Sequence, residues 1–335
     1  MISKYLVSTI AIFVALTSPL SLAAEASKAD KKFTWIASEN VKGDVLRIAF
    51  GSKGEIYSAV SDRGVLRSED GGKSWSDAHT GGDASGVFWV ATEANGTAYA
   101  AMAPGGVYRK TAADDKWKRF VTGLGGMSAT SIVMTPTGEG YVALPMEMQP
   151  AAGGVYKLDA GGKWNRISDP TNTYALAFDA GSKTLFGMNC TGWVQLPVRN
   201  LGRCGGDVMM LKSGEVKWLP VPKDNRIGLV MGIAADGAGT LYAGSNRGVF
   251  KLARDAITWI SLAKGLPGSM VEALVADKHG NVYAGVWGHG MYWLPAGADA
   301  WVDMKLPQPA VFNVEIDKAG RIYVGTPGVV WVANP

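Results

Sequence analysis

The chain has 335 residues, with 33 Lys and Arg against 29 Asp and Glu, so its formal charge is only +4. The basic residues are dispersed, which argues against a nucleic-acid-binding protein, because such proteins carry a basic patch or stripe. Gly accounts for 44 residues and low-complexity runs are absent, as expected of a globular chain with many tight turns.

The N-terminal segment has the order of a secretory signal peptide. Lys4 is followed by the apolar run YLVSTIAIFVAL and then by the small-residue stretch SPLSLAAEA. We predict a signal peptide over residues 1–24, cleaved after Ala23 or Ala24, and a polar lead-in over 25–32. The apolar run is too short to span a bilayer, and no later run approaches ~20 apolar residues. The sequence therefore predicts a secreted or periplasmic protein without a membrane span.

A unit of roughly 40 residues repeats along the rest of the chain. Each copy has an apolar strand, a Gly-containing turn, a Tyr strand, a third strand that typically begins Gly-Val, and a strand with Trp. The aromatic residues of the second strands are Tyr57, Tyr99, Tyr141, Phe186, Tyr242, Tyr283 and Tyr323. The tryptophans of the fourth strands are Trp35, Trp75, Trp117, Trp164, Trp218, Trp259 and Trp301.

The order of these aromatic residues predicts how the repeat closes. Trp35 precedes the first Tyr, and Tyr323 has no fourth-strand Trp after it. If residues 33–37 pair with the third strand of the last unit, near Val329 to Val332, both irregularities disappear. The chain is then an all-β, seven-bladed β-propeller of four-stranded blades, which leaves only short, protected edges. A sandwich and a six-bladed ring are the alternatives.

The predicted domain is a single propeller over residues 33–335. Its blades are blade 1 (45–78), blade 2 (86–121), blade 3 (129–168), blade 4 (173–221), blade 5 (229–262), blade 6 (270–304) and blade 7 (311–333 plus 33–37).

The stretch RSEDGGKSW at residues 67–75 carries a family resemblance. Ser68, Asp70, Gly72 and Trp75 fit the pattern S-x-D-x-G-x-T-W, with serine in place of threonine. This pattern resembles the Asp-box (BNR) repeat of sialidases and related propellers. The resemblance implies a fold-stabilising turn on the face opposite the active site, in which the Asp and Ser side chains satisfy turn amides. It implies no chemistry at the turn itself.

Two long insertions predict where a ligand binds. In a propeller, the loops from second to third strands and the links between blades open on one face, here called the loop face. Blade 3 inserts residues 145–154 on this face, and blade 4 inserts residues 189–207. Cys190 and Cys204 both lie in the second insertion, so export predicts a disulfide between them; a reactive pair and metal ligands are the other readings. The loop could also be a stapled surface loop that binds nothing.

The neighbouring insertions and the blade 6 loop predict one depression around the channel mouth. The candidate binding residues are Glu147, Trp193, Arg199, Arg203, Trp287 and His289. Trp provides a large apolar contact and Arg a forked set of hydrogen-bond donors. We expect Trp287 to be exposed, as a platform for a sugar ring or an apolar partner. Trp293 and Trp331 share one aligned position in neighbouring blades, either for packing or as a docking stripe.

The signals for an enzyme or a cofactor are weaker. A sialidase mechanism needs three arginines, a Tyr nucleophile with a Glu, and an acid Asp, and the family's Arg-Ile-Pro element appears here only as NRIS and NRIG. Several carboxylates could reach the loop face, but their spacing selects no pair. The histidines are isolated, and the Met residues of PMEM suit adaptable contacts as well as copper. We predict no catalytic residue, no metal and no cofactor.

These observations favour an exported, non-enzymatic binding or scaffold propeller. It would recognise a protein or glycan partner through the loop face of blades 3, 4 and 6. The alternative is a carbohydrate-active hydrolase or lyase with its active site at the channel mouth.

Overall fold

The computed structural model describes residues 32–78, 86–114, 116–168, 171–195, 202–215, 217–268 and 270–334. The predicted signal peptide and all but the last residue of the polar lead-in lie outside these ranges. Every regular element within them is a β-strand, with no α-helix. None of the described residues belongs to a helix that is long and apolar enough to cross a membrane.

The described residues form twenty-eight strands. The first thirteen are β1 (Trp35–Ala37), β2 (Val45–Phe50), β3 (Ile56–Val60), β4 (Gly64–Ser68), β5 (Ser76–Asp77), β6 (Val87–Thr92), β7 (Ala98–Met102), β8 (Gly106–Lys110), β9 (Lys118–Arg119), β10 (Ser131–Met134), β11 (Gly140–Leu144), β12 (Gly154–Leu158) and β13 (Trp164–Arg166). The others are β14 (Thr173–Asp179), β15 (Thr184–Gln195), β16 (Gly202–Lys212), β17 (Leu219–Pro220), β18 (Val230–Ala235), β19 (Leu241–Ser245), β20 (Gly248–Leu252), β21 (Ile260–Ser261), β22 (Val271–Ala276), β23 (Val282–Val286), β24 (Gly290–Leu294), β25 (Val302–Asp303), β26 (Asn313–Ile316), β27 (Ile322–Thr326) and β28 (Val329–Ala333).

The strands form six antiparallel sheets. Four of these are four-stranded meanders in chain order: β2 to β5, β6 to β9, β10 to β13, and β22 to β25. Another has the order β1-β28-β27-β26, and the last is an eight-stranded sheet that runs from β14 to β21, with β17 attached to β16. Below, the sheets are named in chain order. The four meanders are the first, second, third and sixth sheets, the two groups of the eight-stranded sheet (β14–β17 and β18–β21) are the fourth and fifth sheets, and β26, β27, β28 and β1 form the seventh sheet.

The core lies between consecutive sheets. The second strand of a unit is buried along its whole length in β3, β7, β11, β19, β23 and β27. These strands are nearly continuous apolar runs because neighbouring sheets cover both of their faces. One buried cluster, for example, joins Tyr57 of the first sheet to Val87 and Trp117 of the second. Another joins Tyr323 of the seventh sheet to Ile48 of the first.

The first strands of the units also lie next to one another in order. β2 contacts β6, β6 contacts β10, β10 contacts β14, β14 contacts β18, β18 contacts β22, β22 contacts β26, and β26 contacts β2. The last sheet in the sequence is therefore packed against the first.

The N-terminal strand pairs where the aromatic count predicts. Trp35 is opposite Ala333 and Ala37 is opposite Trp331 in an antiparallel pair of β1 with β28. The indole Nε1 of Trp35 donates a hydrogen bond to the carbonyl oxygen of Met304 at 2.8 Å. The outer strand of the seventh sheet thus comes from the opposite end of the chain.

The insertion at residues 189–207 is mostly strand, which corrects its interpretation as a long loop. β15 and β16 extend as one antiparallel hairpin, with Gln195 opposite Gly202 at its far end. The disulfide between Cys190 and Cys204 is present, with a Cα–Cα distance of 5.4 Å. It joins two adjacent strands of this hairpin rather than the ends of an irregular loop.

The same hairpin explains why the structure has six sheets where the sequence predicts seven. Gly206 of β16 pairs with Val230 of β18, so the fourth and fifth sheets are joined into one. A Cβ on Gly206 would lie 1.8 Å from the carbonyl oxygen of Asn189 in β15, so only glycine fits at this point of the hairpin. At the junction with β18, a Cβ on the neighbouring Gly205 would lie 3.0 Å from the carbonyl oxygen of Val230.

The turn after β4 has the hydrogen bonds predicted for it. The Asp70 carboxylate accepts the amide of Ser74 at 3.0 Å and its hydroxyl at 2.6 Å, and the Ser68 hydroxyl oxygen accepts the amide of Gly72 at 2.9 Å. The bonds from Ser74 are the main reason that the pKa of Asp70 is lowered to about 2. Trp75 closes the turn by donating to the carbonyl oxygen of Gly72 at 3.2 Å.

Candidate functional site

The loop face carries one conspicuous loop among the described residues, between β11 and β12. Gln149 fixes this loop to the preceding link, since its side-chain Nε2 donates to the carbonyl oxygen of Ser128 at 2.7 Å and its Oε1 accepts the amide of Ser128 at 3.1 Å. The middle of the loop projects outward: Met146 is 38% exposed and Met148 is 43% exposed. Few large apolar side chains are this exposed in the described part of the chain.

Glu147 lies between these two methionines and is held in place from the neighbouring strand. Its amide donates to Oδ1 of Asn172 at 3.0 Å, and its Oε2 accepts Nδ2 of Asn172 at 3.3 Å. Oε2 also accepts the hydroxyl of Tyr174 at 3.1 Å. Burial and then the Glu147 carboxylate raise the pKa of Tyr174 to about 12, so its hydroxyl is a donor at neutral pH. The Glu147 carboxylate is therefore an anchored negative charge on an exposed loop.

Asn172 also connects this loop to the long hairpin. Its carbonyl oxygen accepts the amide of Cys190 at 2.8 Å, while its side chain bonds Glu147. The two predicted insertions therefore meet at the residues just before β14.

The blade 6 residues are arranged differently from the prediction. Trp287 is only 6% exposed, so the expectation of an exposed indole platform is wrong. Its ring packs edge-to-face on Phe312, with centroids 5.5 Å apart, because the link into β26 covers it. Its Nε1 donates to Oε2 of Glu272 at 3.3 Å. His289 is exposed on the same loop, next to Gly268.

The remaining predicted residues fall on the hairpin. Trp193 is opposite Cys204 in the register, and Arg203 is opposite Val194, so both belong to paired strand rather than loop. Arg199 lies outside the described residues. No hydrogen bond or ring contact within the described ranges joins the Glu147 group to the Trp287 group, so a single depression that contains all six residues stays a prediction.

A feature that the sequence did not reveal lies at the loop-face ends of the first strands. Five of them are irregular at the same position, where one extra residue interrupts the pairing with the second strand: Leu46, Phe88, Tyr174, Met231 and Glu272. β-Bulges re-aim side chains and are frequent next to binding sites. Two of these residues, Tyr174 and Glu272, are bonded by the predicted residues Glu147 and Trp287. A bulge leaves no compositional signal beyond a break in the two-residue period.

The other tryptophans outside the repeat pack within the fold. Trp293 is 4% exposed, and it shares a cluster with the partly buried Trp331 and with Phe33. The aligned position is therefore used for packing rather than as an exposed docking stripe. Trp89 is partly buried, with the Arg47 guanidinium 4.0 Å above its ring, and Arg47 also pairs with Glu315 at 2.8 Å. Within the described ranges, no three His, Cys, Asp or Glu side chains come together as metal ligands.

Comparison with known proteins places the fold. No family model matches the chain, and no curated protein matches it either. Among solved structures, YCF48 from Cyanidioschyzon merolae is similar at TM-score 0.68 and 16% identity, over 90% of this chain and 99% of that one. Virginiamycin B lyase from Staphylococcus aureus is similar at TM-score 0.70 and 11% identity, over 91% and 99%.

A third similar structure is the extracellular domain of the putative one-component system BT4673 from B. thetaiotaomicron, at TM-score 0.69 and 13% identity. The match covers 90% of this chain and 40% of that one. YCF48 has also been solved bound to a D1 peptide. These similarities show a β-propeller fold.

Proposed function

We propose that this protein is an exported β-propeller that binds an extended peptide segment of a partner protein through the loop face of its third and fourth sheets. The observation that carries the proposal is the exposed loop at 145–153, where Met146 and Met148 flank the anchored carboxylate of Glu147. Methionine side chains adapt to varied apolar partners, and a fixed carboxylate selects amide or cationic donors. Together they suit a peptide with apolar and basic side chains.

The architecture that we propose for this function has seven blades in a closed ring. The eight-stranded sheet would be two blades fused by the pairing of Gly206 with Val230. The order of contacts among the first strands, with β26 against β2, supports closure. The turn hydrogen bonds of Ser68 and Asp70 support kinship with Asp-box propellers. The N-terminal sequence supports export, and BT4673, a similar structure, is an extracellular domain.

The similar structures are compatible with this function. YCF48 has been solved with a bound D1 peptide, so a protein of similar fold can bind a peptide. The low sequence identity transfers the fold and not the partner, so the binding residues must be found on this chain.

The test is selection of peptides followed by measurement on variants. Random twelve-residue peptides displayed on phage would be selected on the purified mature protein, and the best would be measured by calorimetry. We expect Met146→Ala with Met148→Ala to weaken binding at least tenfold, and Glu147→Gln to weaken binding of basic peptides most. Ile257→Ala is the matched control, because Ile257 is 83% exposed but lies outside this loop.

Two results would contradict the proposal. One is a selected peptide that binds the loop variants as tightly as the parent. The other is a glycan array in which the protein captures a defined glycan through the same residues while no peptide is selected, which would establish a glycan-binding protein instead.

A second candidate function rests on the pair of Tyr174 and Glu147. A tyrosine hydroxyl bonded to a carboxylate at 3.1 Å resembles the nucleophile and base of a tyrosine-dependent glycosidase. Virginiamycin B lyase shows that a similar fold carries catalysis. Turnover of an aryl glycoside or polysaccharide panel that is abolished by Tyr174→Phe would establish this alternative. Absence of turnover in the parent, with intact peptide binding, would leave the binding function.

A further inference from the structure

A well-formed cavity lies between the third and fourth sheets. It has a volume of about 640 Å³, which is within the range of pockets that hold small molecules. Its apolar wall comes from both sheets and includes Tyr141, Phe178, Leu185, Leu211 and Trp218. Tyr141 and Phe178 are stacked, with ring centroids 6.5 Å apart.

A hydrogen bond that closes several other sheet junctions is missing at this cavity. In four units, the fourth-strand Trp donates its indole N–H to the carbonyl that follows the fourth strand of the preceding sheet: Trp35 to Met304, Trp164 to Phe120, Trp259 to Pro222, and Trp301 to Leu262. This bond closes the junction between neighbouring sheets. Trp75 instead donates within its own turn, and the buried Nε1 of Trp117 has no hydrogen-bond partner within the described ranges.

Trp218 is the exception that borders the cavity. Its Nε1 is buried and has no hydrogen-bond partner, although the equivalent residues Ile167 and Ser168 are described and line the same cavity. A buried N–H without an acceptor costs free energy that a bound acceptor would recover. The indole packs closely on Gly187, where a Cβ would lie 3.2 Å from Cζ3 of Trp218.

The charges around the cavity are mostly positive. The lining contains the cations Lys157, Arg166, Lys183, Lys212 and Lys217 and the carboxylates Glu139 and Glu215. Glu139 is neutralised by Lys157, whose Nζ lies 2.5 Å from its Oε1. Lys183 and Lys217 form no ion pair within the described ranges, and both are exposed at the end of β15 and β16 that is opposite the loop face. These two lysines are free to bind an anion at the cavity entrance.

We propose that this cavity binds a small amphipathic anion, with an apolar ring or chain against Trp218 and a carboxylate or sulfonate between Lys183 and Lys217. The apolar wall provides the contact area, the indole N–H provides one directed donor, and the two lysines select negative charge. The two lysines lie at the end of the cavity opposite the loop face, so anion binding there can be tested whether or not the protein binds peptides.

Calorimetry with 2-naphthoate, and with decanoate as the chain form, tests the proposal. We expect saturable binding of at least one of them to the parent, at least tenfold weaker binding of the isosteric neutral alcohol, and weakening by added salt. Lys183→Gln with Lys217→Gln should weaken anion binding at least tenfold. Lys278→Gln is the control, because Lys278 is exposed in a turn of the sixth sheet, away from the cavity.

Tryptophan variants separate a ligand contact from a structural one. Trp218→Phe keeps an aromatic ring but removes the N–H and part of the indole surface that faces the cavity, so we expect at least fivefold weaker binding with little change in stability. Trp259→Phe removes an N–H that already donates to Pro222 at 2.7 Å, so it should lower the melting temperature and leave binding unchanged. The proposal is overturned if neither anion binds saturably, if the neutral alcohol binds equally well, or if Trp218→Phe changes stability but not binding.

Discussion

Replacement of Trp35 by alanine tests whether the N-terminal strand completes the last sheet. The indole donates to Met304 at 2.8 Å, and loss of a bond of this kind costs about 1 kcal/mol. The partly buried ring also packs against the cluster that contains Phe33 and Trp293, and its removal should cost about 2 kcal/mol, roughly half of a fully buried Trp. We therefore expect the free energy of unfolding to fall by about 3 kcal/mol.

Urea unfolding followed by circular dichroism measures this loss. Ile36→Ala is the matched control, because Ile36 is the next residue of the same strand and is 46% exposed; it should cost less than about 0.5 kcal/mol. Trp35→Phe should lose the hydrogen bond and part of the ring contact, so its cost should be smaller than that of Trp35→Ala. Equal losses for Trp35→Ala and Ile36→Ala would refute the reasoning. Deletion of residues 33–37 should expose the edge of β28 and promote aggregation, seen as earlier elution in size-exclusion chromatography.

Two further predictions concern the hairpin and the Asp-box turn. Cys190→Ser with Cys204→Ser should accelerate amide hydrogen exchange within residues 190–206 at least tenfold, because the bond joins only the two hairpin strands; equal acceleration in the other sheets would contradict this. Asp70→Asn should cost about 1 kcal/mol at pH 7, because the amide nitrogen of Asn cannot accept the bond that the Ser74 hydroxyl donates to Oδ2. The pKa of Asp70 in the folded protein is lowered from 3.8 to about 2, so this contribution is present above pH 3.8 and disappears as the pH falls to 2. The free energies of unfolding of the parent and of Asp70→Asn should therefore converge as the pH falls from 3.8 to 2, while the control Glu69→Gln should show no such convergence with the parent. A constant difference between the parent and Asp70→Asn down to pH 2 would show that ionisation of Asp70 is irrelevant.

The strand order was largely readable from the sequence because it depends on local, repeated residues. A buried Tyr or Phe on each second strand and a Trp on each fourth strand predicted the four-stranded units. The unmatched Trp35 predicted the pairing of β1 with β28, which is present. The pairing of Cys190 with Cys204 was also predictable, since both residues lie in one insertion of an exported chain.

The functional features depended more on tertiary contacts. The length of the hairpin over β15 and β16, and its junction with β18, were decided by the approach of Gly206 to Val230, which are far apart in sequence. The turn residues around Trp287 predicted that its side chain is exposed, but the link that contains Phe312 covers it. The carboxylate of Glu147 accepts the hydrogen bond from the Tyr174 hydroxyl because β14 brings Tyr174 beside it.

The division has a physical origin. Glycine turns, alternating apolar residues and a recurring Trp act within a few residues of one another, so the sequence by itself determined most of the strands and their repeated order. Bulges, sheet junctions, buried indoles and the open cavity beside Trp218 depend on which segments of neighbouring sheets approach closely enough to bond. Only the tertiary structure decides that, because the burial and the hydrogen-bond partners of a side chain come from residues distant in the chain.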